Sequence, residues 1–317
     1  MKKNFFIFFA ILMIAMLGGI FVSCSSDSEE EYEPGIYGSR FKIDDIYYDM
    51  WSVDGSTCYV VSNHGEYSGH IVIPSTVNYK GKTLTVVSID DDAFAGCRLL
   101  TGITIPNTIS SIGDYAFGWC NLESIVIPNS VTQIGRGAFK GCTNLRNVIL
   151  SNSIIEIEEE AFSECSSLAN VTIPNSVIEI GQYAFYKCNS LTNVTIPNSV
   201  VKIENWAFAY CSGFTNVTIP NSVIEIGACT FIDCSNLTNV TIGSSVTKIG
   251  NKAFYRCSSN ATLYSLNTVP PNLIQDIGMN SFTDEQYMNM NVFVPQKALE
   301  AYRSDYWWNK FKNLQGF

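Results

Sequence analysis

One eight-residue stretch occurs three times at a constant spacing. The letters NVTIPNSV stand at 170–177, 193–200 and 216–223, and the variant NVTIGSSV stands at 239–246. Each copy begins 23 residues after the one before it. A period of this length is typical of chains that stack one structural unit on the next. The sequence therefore predicts a repeat array, and this constrains the fold more than length or composition does.

Two further residue types extend the repeat over eight copies. A Phe recurs at Phe94, Phe117, Phe139, Phe162, Phe185, Phe208, Phe231 and Phe254. A Cys follows each Phe three residues later, at Cys97, Cys120, Cys142, Cys165, Cys188, Cys211, Cys234 and Cys257. The step is 23 residues except once, where it is 22 because Asn121 alone separates Cys120 from the next Leu. A deletion at that point is expected to fall in a loop.

The repeated unit reads L-x-x-V-x-I-P-x-S-V-x-x-I-G-x-x-A-F-x-x-C-x-x. The run V-x-I alternates apolar and polar residues, which is typical of a β-strand. The Pro after it cannot donate a sheet hydrogen bond, so we expect the strand to end there. The Gly before Ala-Phe, as at Gly181 and Gly227, is expected to permit a tight bend. Stacked units should share one continuous core in which Phe185 and Phe208 are fully buried.

These blocks resemble the leucine-rich repeats of BspA-like bacterial surface proteins, over residues 68–266. The resemblance implies an α/β repeat solenoid of about nine 23-residue coils with one short parallel strand per coil. Residues 70–94 resemble the first coil of such proteins with nine extra residues, which we predict form a hairpin turning at Gly81. Local departures, such as Phe214 in place of Leu and Gly243 in place of Pro, leave this fold prediction intact.

The first 24 residues carry two lysines and then a long apolar run. This layout predicts a secretory signal peptide at 1–23, although the run is about long enough for an uncleaved membrane anchor. Phe21-Val22-Ser23-Cys24 resembles the lipobox of bacterial lipoproteins, which implies that Cys24 is acylated and becomes the mature N-terminus. Several acyl chains on one Cys would hold the protein at a membrane.

Residues 24–36 are polar and acidic and predict a disordered tether. An acidic run after a lipidated Cys also resembles the surface-export signal of Bacteroidetes lipoproteins, which implies an outer-membrane lipoprotein facing the cell exterior. A periplasm-facing anchor is the alternative.

Both ends of the array are predicted to be capped, because an open solenoid edge invites strand addition. Residues 37–67 have strand character and predict an N-terminal β cap. Residues 267–317 resemble the terminal cap of the family, with a strand from Val292 to Val294 and an amphipathic helix from about Gln296. Trp307, Trp308 and Phe311 could fill the core of this cap or form a sugar platform.

The cysteine ladder is interpreted as structural. Residues at one repeat position point the same way, and parallel side chains fit poorly to the near-right-angle torsion of a disulfide. Buried free Cys behaves as a small hydrophobe, and a spacing of 23 residues matches no zinc motif. Disulfide or metal use of these thiols remains the alternative.

No catalytic constellation is present in the sequence, which predicts a protein that is not an enzyme and needs no cofactor or metal. His64 and His70 are six residues apart, which is not a helical metal-binding spacing, and His70 is expected to point outward. The G-x-S-x-G, P-loop and H-E-x-x-H motifs do not occur. Glu158, Glu159 and Glu160 are interpreted as solvated surface. The net charge of −10 argues against nucleic acid as a partner.

Two surfaces are candidates for binding. On the strand side, two outward rows are nearly uniform: Asn170, Asn193, Asn216 and Asn239 form one, and Thr172, Thr195, Thr218 and Thr241 form the other. On the other side, the residues around Ala-Phe vary, and Tyr183, Tyr186, Trp206 and Tyr210 are predicted to share an aromatic patch in which Tyr183 and Trp206 stack. Exposed aromatic clusters are enriched at binding sites, but these rings could merely cover the coil edges.

The resemblance implies a lipid-anchored, surface-exposed protein that mediates adhesion by binding an extracellular protein or glycan. This rests on analogy between folds, since one fold serves many functions. A structural envelope lipoprotein without a soluble ligand and an accessory glycan-capture protein are the alternatives.

Overall fold

The computed structural model describes residues 40–50, 55–274 and 280–317. The predicted signal peptide, Cys24 and the acidic tether lie outside these ranges. Within them the chain forms the predicted repeat solenoid of parallel strands, with coils of about 23 residues related by the repeat, and the coils are built of strands and turns rather than α-helices. No helix in the described ranges is both long and apolar enough to cross a membrane.

The predicted V-x-I strands form a first ladder of parallel strands along one side of the solenoid, and we call the outward surface of this ladder the strand face. Its members are Ser68–Val72, Leu99–Thr104, Ser124–Val126, Asn147–Ile149, Asn170–Thr172, Asn193–Thr195, Asn216–Ile219, Asn239–Ile242, Thr262–Ser265, Asn291–Val294 and Asn313–Gly316. Equivalent residues pair between coils, as Asn170 with Asn193 and Thr172 with Thr195. The strand prediction from the repeat is therefore confirmed.

Each coil also contains a second, two-residue strand that the sequence analysis did not predict. These strands are Ser111–Ile112, Gln133–Ile134, Glu156–Ile157, Glu179–Ile180, Lys202–Ile203, Glu225–Ile226, Lys248–Ile249 and Asn272–Leu273. They are parallel, and each places its Ile or Leu in the core. A two-residue run is too short to show a period in the sequence, which is why it was missed.

Stacked Phe rings form the centre of the core. Phe185 and Phe208 are completely buried, as predicted, and their centroids lie 5.2 Å apart with an angle of 3° between planes. The stack runs from Phe94 through the ladder and ends on Phe282, which lies 5.6 Å from Phe254. Offset-stacked rings combine large buried area with a favourable quadrupole arrangement, so this stack is a major source of stability.

The cysteine thiols lie beside the Phe stack and point to a shared structural role. The Cys188 thiol donates to the carbonyl oxygen of Phe162 at 3.1 Å. It is one of seven thiols, from Cys120 to Cys257, that make this contact between coils. Burial raises the pKa of Cys142 to about 12 and that of Cys188 well above its usual value. All cysteines in the described ranges are free and buried, which favours the structural interpretation.

A turn begins at Gly181, whose carbonyl accepts from the Ala184 amide at 3.2 Å, but neither Gly181 nor Gly227 has a positive φ, so the turn itself does not require Gly there. The left-handed residues are instead the one before Ala and the one before Cys, such as Tyr183 with φ 58° and Lys187 with φ 57°. A Cβ on Gly181 would lie 2.8 Å from the Ile157 carbonyl oxygen of the preceding coil. Close approach between coils therefore requires Gly there.

Hydrogen bonds between coils hold these left-handed residues in place. The Tyr183 amide donates to the Asn205 carbonyl at 3.2 Å, and the Lys187 amide donates to the Ala209 carbonyl at 2.9 Å. A left-handed conformation costs a non-Gly residue about 1–2 kcal/mol. The coil-to-coil bonds compensate for this strain, which is why varied residue types, including large aromatics, tolerate these positions.

The N-terminal end folds as predicted around a β-hairpin. Strands Thr76–Tyr79 and Lys82–Ile89 are antiparallel, and the turn at Gly81 is confirmed. Both turn residues have positive φ, 48° at Lys80 and 79° at Gly81, which matches the twist of a two-residue hairpin. Three further strands, Phe41–Ile43, Ile46–Met50 and Thr57–Val60, extend this sheet.

The C-terminal end contains the predicted strand, here Asn291–Val294, and the predicted helix, here Leu299–Ser304 after a 3₁₀ turn at Gln296–Ala298. Trp308 and Phe311 are buried, which confirms their core role over a sugar platform. The sequence analysis missed the helix Asp284–Asn289, which begins with a capping box at Thr283. A second 3₁₀ turn, Trp308–Lys310, leads into the last strand.

The first ladder is divided into three separate sheets. Among the described strands, backbone pairing stops between Leu99–Thr104 and Ser124–Val126, and again between Asn193–Thr195 and Asn216–Ile219. The residue missing after Cys120 precedes the first break. Phe214 precedes the second, where it is fully buried 5.5 Å from Phe208. Each break thus coincides with a departure from the repeat, while the Phe stack stays regular across both, with centroids 5.1 Å apart for Phe94 and Phe117 and 5.2 Å apart for Phe185 and Phe208.

Candidate functional site

The two predicted rows lie on the strand face. The side chains of Asn193, Thr195, Asn216 and Thr218 are exposed, and Thr241 is half-buried. The Asn239 amide donates to the Asn216 side-chain oxygen at 2.8 Å, so the Asn row is linked across coils. Amides and hydroxyls offer both donors and acceptors to a ligand. The face is therefore polar and regular, with side chains that can exchange hydrogen bonds with a bound molecule.

An open depression of about 420 Å³ lies at the second break in the strand face. Its polar walls come from Asn193, Thr195, Asn216, Thr218 and Thr241, and Leu266 closes one end. None of its lining residues is charged. It brings together residues from both predicted rows, and its size falls within the range of small-ligand sites.

A second depression, of about 720 Å³, lies at the first break. Its lining differs in character, because it includes Glu123 and the imidazole of His70 as well as the apolar side chains of Val126 and Ile149. His70 is exposed, as predicted, and its Nε2 lies 3.0 Å from the Thr104 hydroxyl. The strand face thus has a charged and apolar end and an uncharged, amide-rich end.

Beyond Thr241 the outward row becomes aromatic, a feature that the sequence analysis missed. Tyr264 pairs with Thr241 in the ladder, and Phe293 pairs with Tyr264. The rings of Tyr264 and Phe293 stack at 5.0 Å, and Phe317 meets Tyr264 edge-on at 6.0 Å. We call these three residues the terminal aromatic cluster. Continuing the repeat alignment past Cys257 would have placed Tyr264 in the Thr row.

The predicted aromatic patch is assembled, but its rings cover one another. Tyr183 stacks on Trp206 at 5.8 Å, and Tyr186 lies edge-on to both Tyr183 and Tyr210 at 5.5 Å. All four side chains are half-buried. Tyr186, Trp206 and Tyr210 pack on a small apolar cluster that contains Ile232, separate from the main core. The patch therefore offers ring edges more than ring faces.

The acidic run does not behave as simple solvated surface. Glu160 is half-buried and accepts a hydrogen bond from the Tyr115 hydroxyl at 2.9 Å, while Lys140 lies 2.6 Å from its other oxygen. Burial opposes ionisation of this carboxyl, but the hydrogen bonds from Lys140 and Tyr115 prevail and lower its pKa. Arg136 approaches the same carboxyl at 3.5 Å. The group is satisfied by its neighbours and has a structural role.

Across the described ranges, no cluster of three or more His, Cys, Asp or Glu side chains is placed to hold a metal ion. The predicted lipidation site, Cys24, lies outside those ranges.

Comparison with known proteins identifies the repeat. A family model described as the BspA type leucine rich repeat region matches residues 75–192 and 178–302, with six copies. Two solved structures share the fold. A leucine-rich repeat protein from Bacteroides ovatus ATCC 8483 gives a TM-score of 0.53 at 23% identity, covering 86% of this chain and 81% of that one.

The second structure is a leucine rich cell surface protein from Faecalibacterium prausnitzii A2-165. It gives a TM-score of 0.53 at 22% identity, covering 88% of this chain and 94% of that one. At these identities the likeness concerns the fold alone. No curated protein matches the chain. Since the family model spans most of the coils, the chain belongs to the BspA-type leucine-rich repeat family.

Proposed function

We propose that this protein is a lipid-anchored, non-enzymatic binding protein at the bacterial cell surface, which recognises an extracellular protein or glycan through its strand face. The observation that carries the proposal is the open depression of about 420 Å³ between the Asn and Thr rows. Exposed amides and hydroxyls from Asn193, Asn216 and Thr218 converge there on a rigid frame. Convergent polar groups in a preformed depression are typical of binding sites.

The strand face is a better binding surface than the aromatic patch. A ligand on the patch would meet rings that already pack on Ile232 and on one another. Presenting their faces would require the rings to separate and expose apolar area, which costs free energy. A ligand in the depression meets side chains that are already open to solvent.

Membrane attachment is proposed from the sequence alone. Phe21-Val22-Ser23-Cys24 after an apolar run resembles a lipobox, and the acidic residues that follow favour export to the cell exterior. The Faecalibacterium structure that shares the fold is named a cell surface protein, which agrees with this location. Metabolic labelling with a fatty acid should mark the wild type and leave Cys24→Ala unlabelled. Equal labelling of both would contradict lipidation at Cys24.

The absence of enzymatic activity is proposed from the regularity of the chain. Catalysis places different groups at different points around one substrate, whereas the strand face repeats two residue types from coil to coil. Such repetition suits an extended polymer or a broad surface better than a single reacting bond.

An array of glycans and extracellular-matrix proteins tests the binding proposal directly. The chain from Ser25 to Phe317 contains every described residue and is the probe. Specific capture by one class of ligand supports the proposal, and capture by none favours a structural envelope lipoprotein. Protease shaving of intact cells tests location: loss of the solenoid without lysis supports the outer face, and protection supports the periplasm.

A further inference from the structure

We propose that the terminal aromatic cluster and the uncharged depression form one binding site for a neutral glycan, with Tyr264 as the stacking platform. This inference rests on the proposed function and names its ligand class. It differs from the earlier candidate surfaces because Tyr264, Phe293 and Phe317 belong to neither of them.

The proposed stacking platform is the face of the Tyr264 ring that Phe293 does not cover. Tyr264 stacks on Phe293 with 17° between the planes, so Phe293 covers one face of the Tyr264 ring. The other face is directed along the ladder towards Thr241, the partner of Tyr264 on the preceding strand. Neighbouring strands are about 4.8 Å apart, and Thr241 is too short to cover an aromatic ring. Tyr264 accordingly remains 39% exposed on a row whose preceding members are small.

A pyranose ring fits this geometry. The carbon-bound hydrogens on one face of a sugar are weakly positive, so they pack on the negative face of an aromatic ring. The hydroxyls at the edge of the sugar need partners that both donate and accept. Asn239 supplies such groups on the strand adjacent to the platform, and Asn216 and Thr218 supply them on the next strand.

The residues that line the depression favour an uncharged ligand. The depression contains no charged side chain, so a sulfated, uronic or sialylated sugar would lose its hydration without gaining a cation. The same argument disfavours an acidic or basic peptide. A protein partner generally needs an interface of about 800 Å² per side, which is far more surface than a single depression of about 420 Å³ provides.

The depression lies where two neighbouring strands of the first ladder are not paired. Phe214 precedes the strand Asn216–Ile219, which pairs with Asn239–Ile242 on one side but not with Asn193–Thr195 on the other, and the groove opens along this second side. Two strands separate this groove from Tyr264, so an oligosaccharide of several units would lie along the face. The site is therefore suited to an internal stretch of a polymer.

Affinity electrophoresis tests the inference with three neutral polysaccharides, namely a β-glucan, a mannan and a xylan, and with anionic polygalacturonate for comparison. The probe is the chain from Ser25 to Phe317. We expect at least one neutral polymer to retard the wild type. Tyr264→Ala should then raise the dissociation constant, measured by calorimetry, by about tenfold.

Two variants separate a binding role from a structural one. Tyr264→Trp keeps an aromatic face and should stay within about twofold of the wild type. Tyr306→Ala removes a ring that is 69% exposed in the C-terminal cap and should have no effect on binding. All variants are compared at a temperature where melting curves show them folded.

Three outcomes would overturn the inference: no retardation by any of the three neutral polymers, preference for polygalacturonate, or equal binding by wild type and Tyr264→Ala. If no neutral polymer retards the protein but a matrix protein on the array captures it, the proposed binding function stands and the glycan site is refuted. Failure of both assays would refute both.

Discussion

The strand face is uniform in sequence and exposed to solvent, whereas the aromatic patch is varied in sequence and half-buried. On the strand face the same residues, such as Asn193 and Asn216, recur in successive coils and are exposed. In the aromatic patch the residue type changes at every coil, yet Tyr183 and Trp206 are half-buried and stacked on each other. Sequence variety along a repeat is therefore a poor guide to where a ligand binds. What matters is whether the varied side chains pack on neighbours.

The reason for the difference lies in the backbone. The positions of Tyr183 and Trp206 are left-handed, with φ of 58° and 62°, and the inter-coil hydrogen bonds fix them there. Their side chains consequently lie across the next coil and fill gaps left by its residues. On the strand face, alternation sends Asn and Thr straight out from the sheet, where nothing covers them.

The largest expected effect is on stability, when a Phe of the core is removed. Phe185 and Tyr186 are neighbours in sequence, but the first is fully buried in the Phe stack and the second is half-buried in the patch. Phe185→Ala should lower the free energy of unfolding by about 3–5 kcal/mol, because it leaves a cavity in the stack. Phe254→Ala should have a cost in the same range, because Phe254 is also buried and stacked on both sides, on Phe231 and Phe282. Wild-type melting of Phe185→Ala would contradict the core assignment.

A smaller effect separates the two surfaces. Trp206→Ala removes a ring that packs on Tyr183 and on the cluster around Ile232, and should cost about 1–2 kcal/mol. Thr195→Ala, on the strand face, should stay within about 0.5 kcal/mol of the wild type. Chemical denaturation measures both. If the two variants prove equally stable, the patch is not a packing element and the comparison fails.

Thiol reactivity sharpens the difference between patch and core. Cys229 belongs to the apolar cluster under the patch, whereas Cys188 lies in the ladder. Burial raises the pKa of both thiols, so at pH 8 each is neutral and reacts only when its surroundings open. The cluster is small and opens more easily, so Cys229 should be alkylated about tenfold faster. Mass spectrometry after a short iodoacetamide pulse measures this, and a faster Cys188 would contradict it.

The subtlest prediction concerns the break in the strand face. Phe214→Leu restores the usual repeat residue and should let Asn216–Ile219 pair with Asn193–Thr195, which slows amide exchange at residues 216–219. The change in stability should stay below about 1.5 kcal/mol, since one apolar core residue replaces another and Leu is the usual residue at this repeat position. Leu191→Phe is the matched reverse change and should open a break one coil earlier. Unchanged exchange in Phe214→Leu would show that another feature separates the strands.

The sequence specified the periodic part of this fold, because every core position recurs and each repetition adds evidence for the same assignment. The hairpin at Gly81 was predictable because the first coil has nine residues more than the family's usual coil, and Gly81 can adopt the positive φ of a tight turn. Three features were out of reach. The strand Glu179–Ile180 is too short for a period, and the left-handed Tyr183 breaks the rule that such positions take Gly or Asn. The groove near Phe214 depends on spacing between coils, which no single unit encodes.

One pair of variants tests the central claim, that recognition occurs on the strand face and that the aromatic patch is packing. Asn193→Lys, Asn216→Lys places two long cations in the depression, while Tyr183→Ala, Trp206→Ala, Tyr210→Ala strips the patch. Binding of each to the ligand captured on the array is measured at a temperature where both are folded. We predict that the lysine variant loses binding and that the alanine variant retains it. Retention by the lysine variant together with loss by the alanine variant would contradict the account.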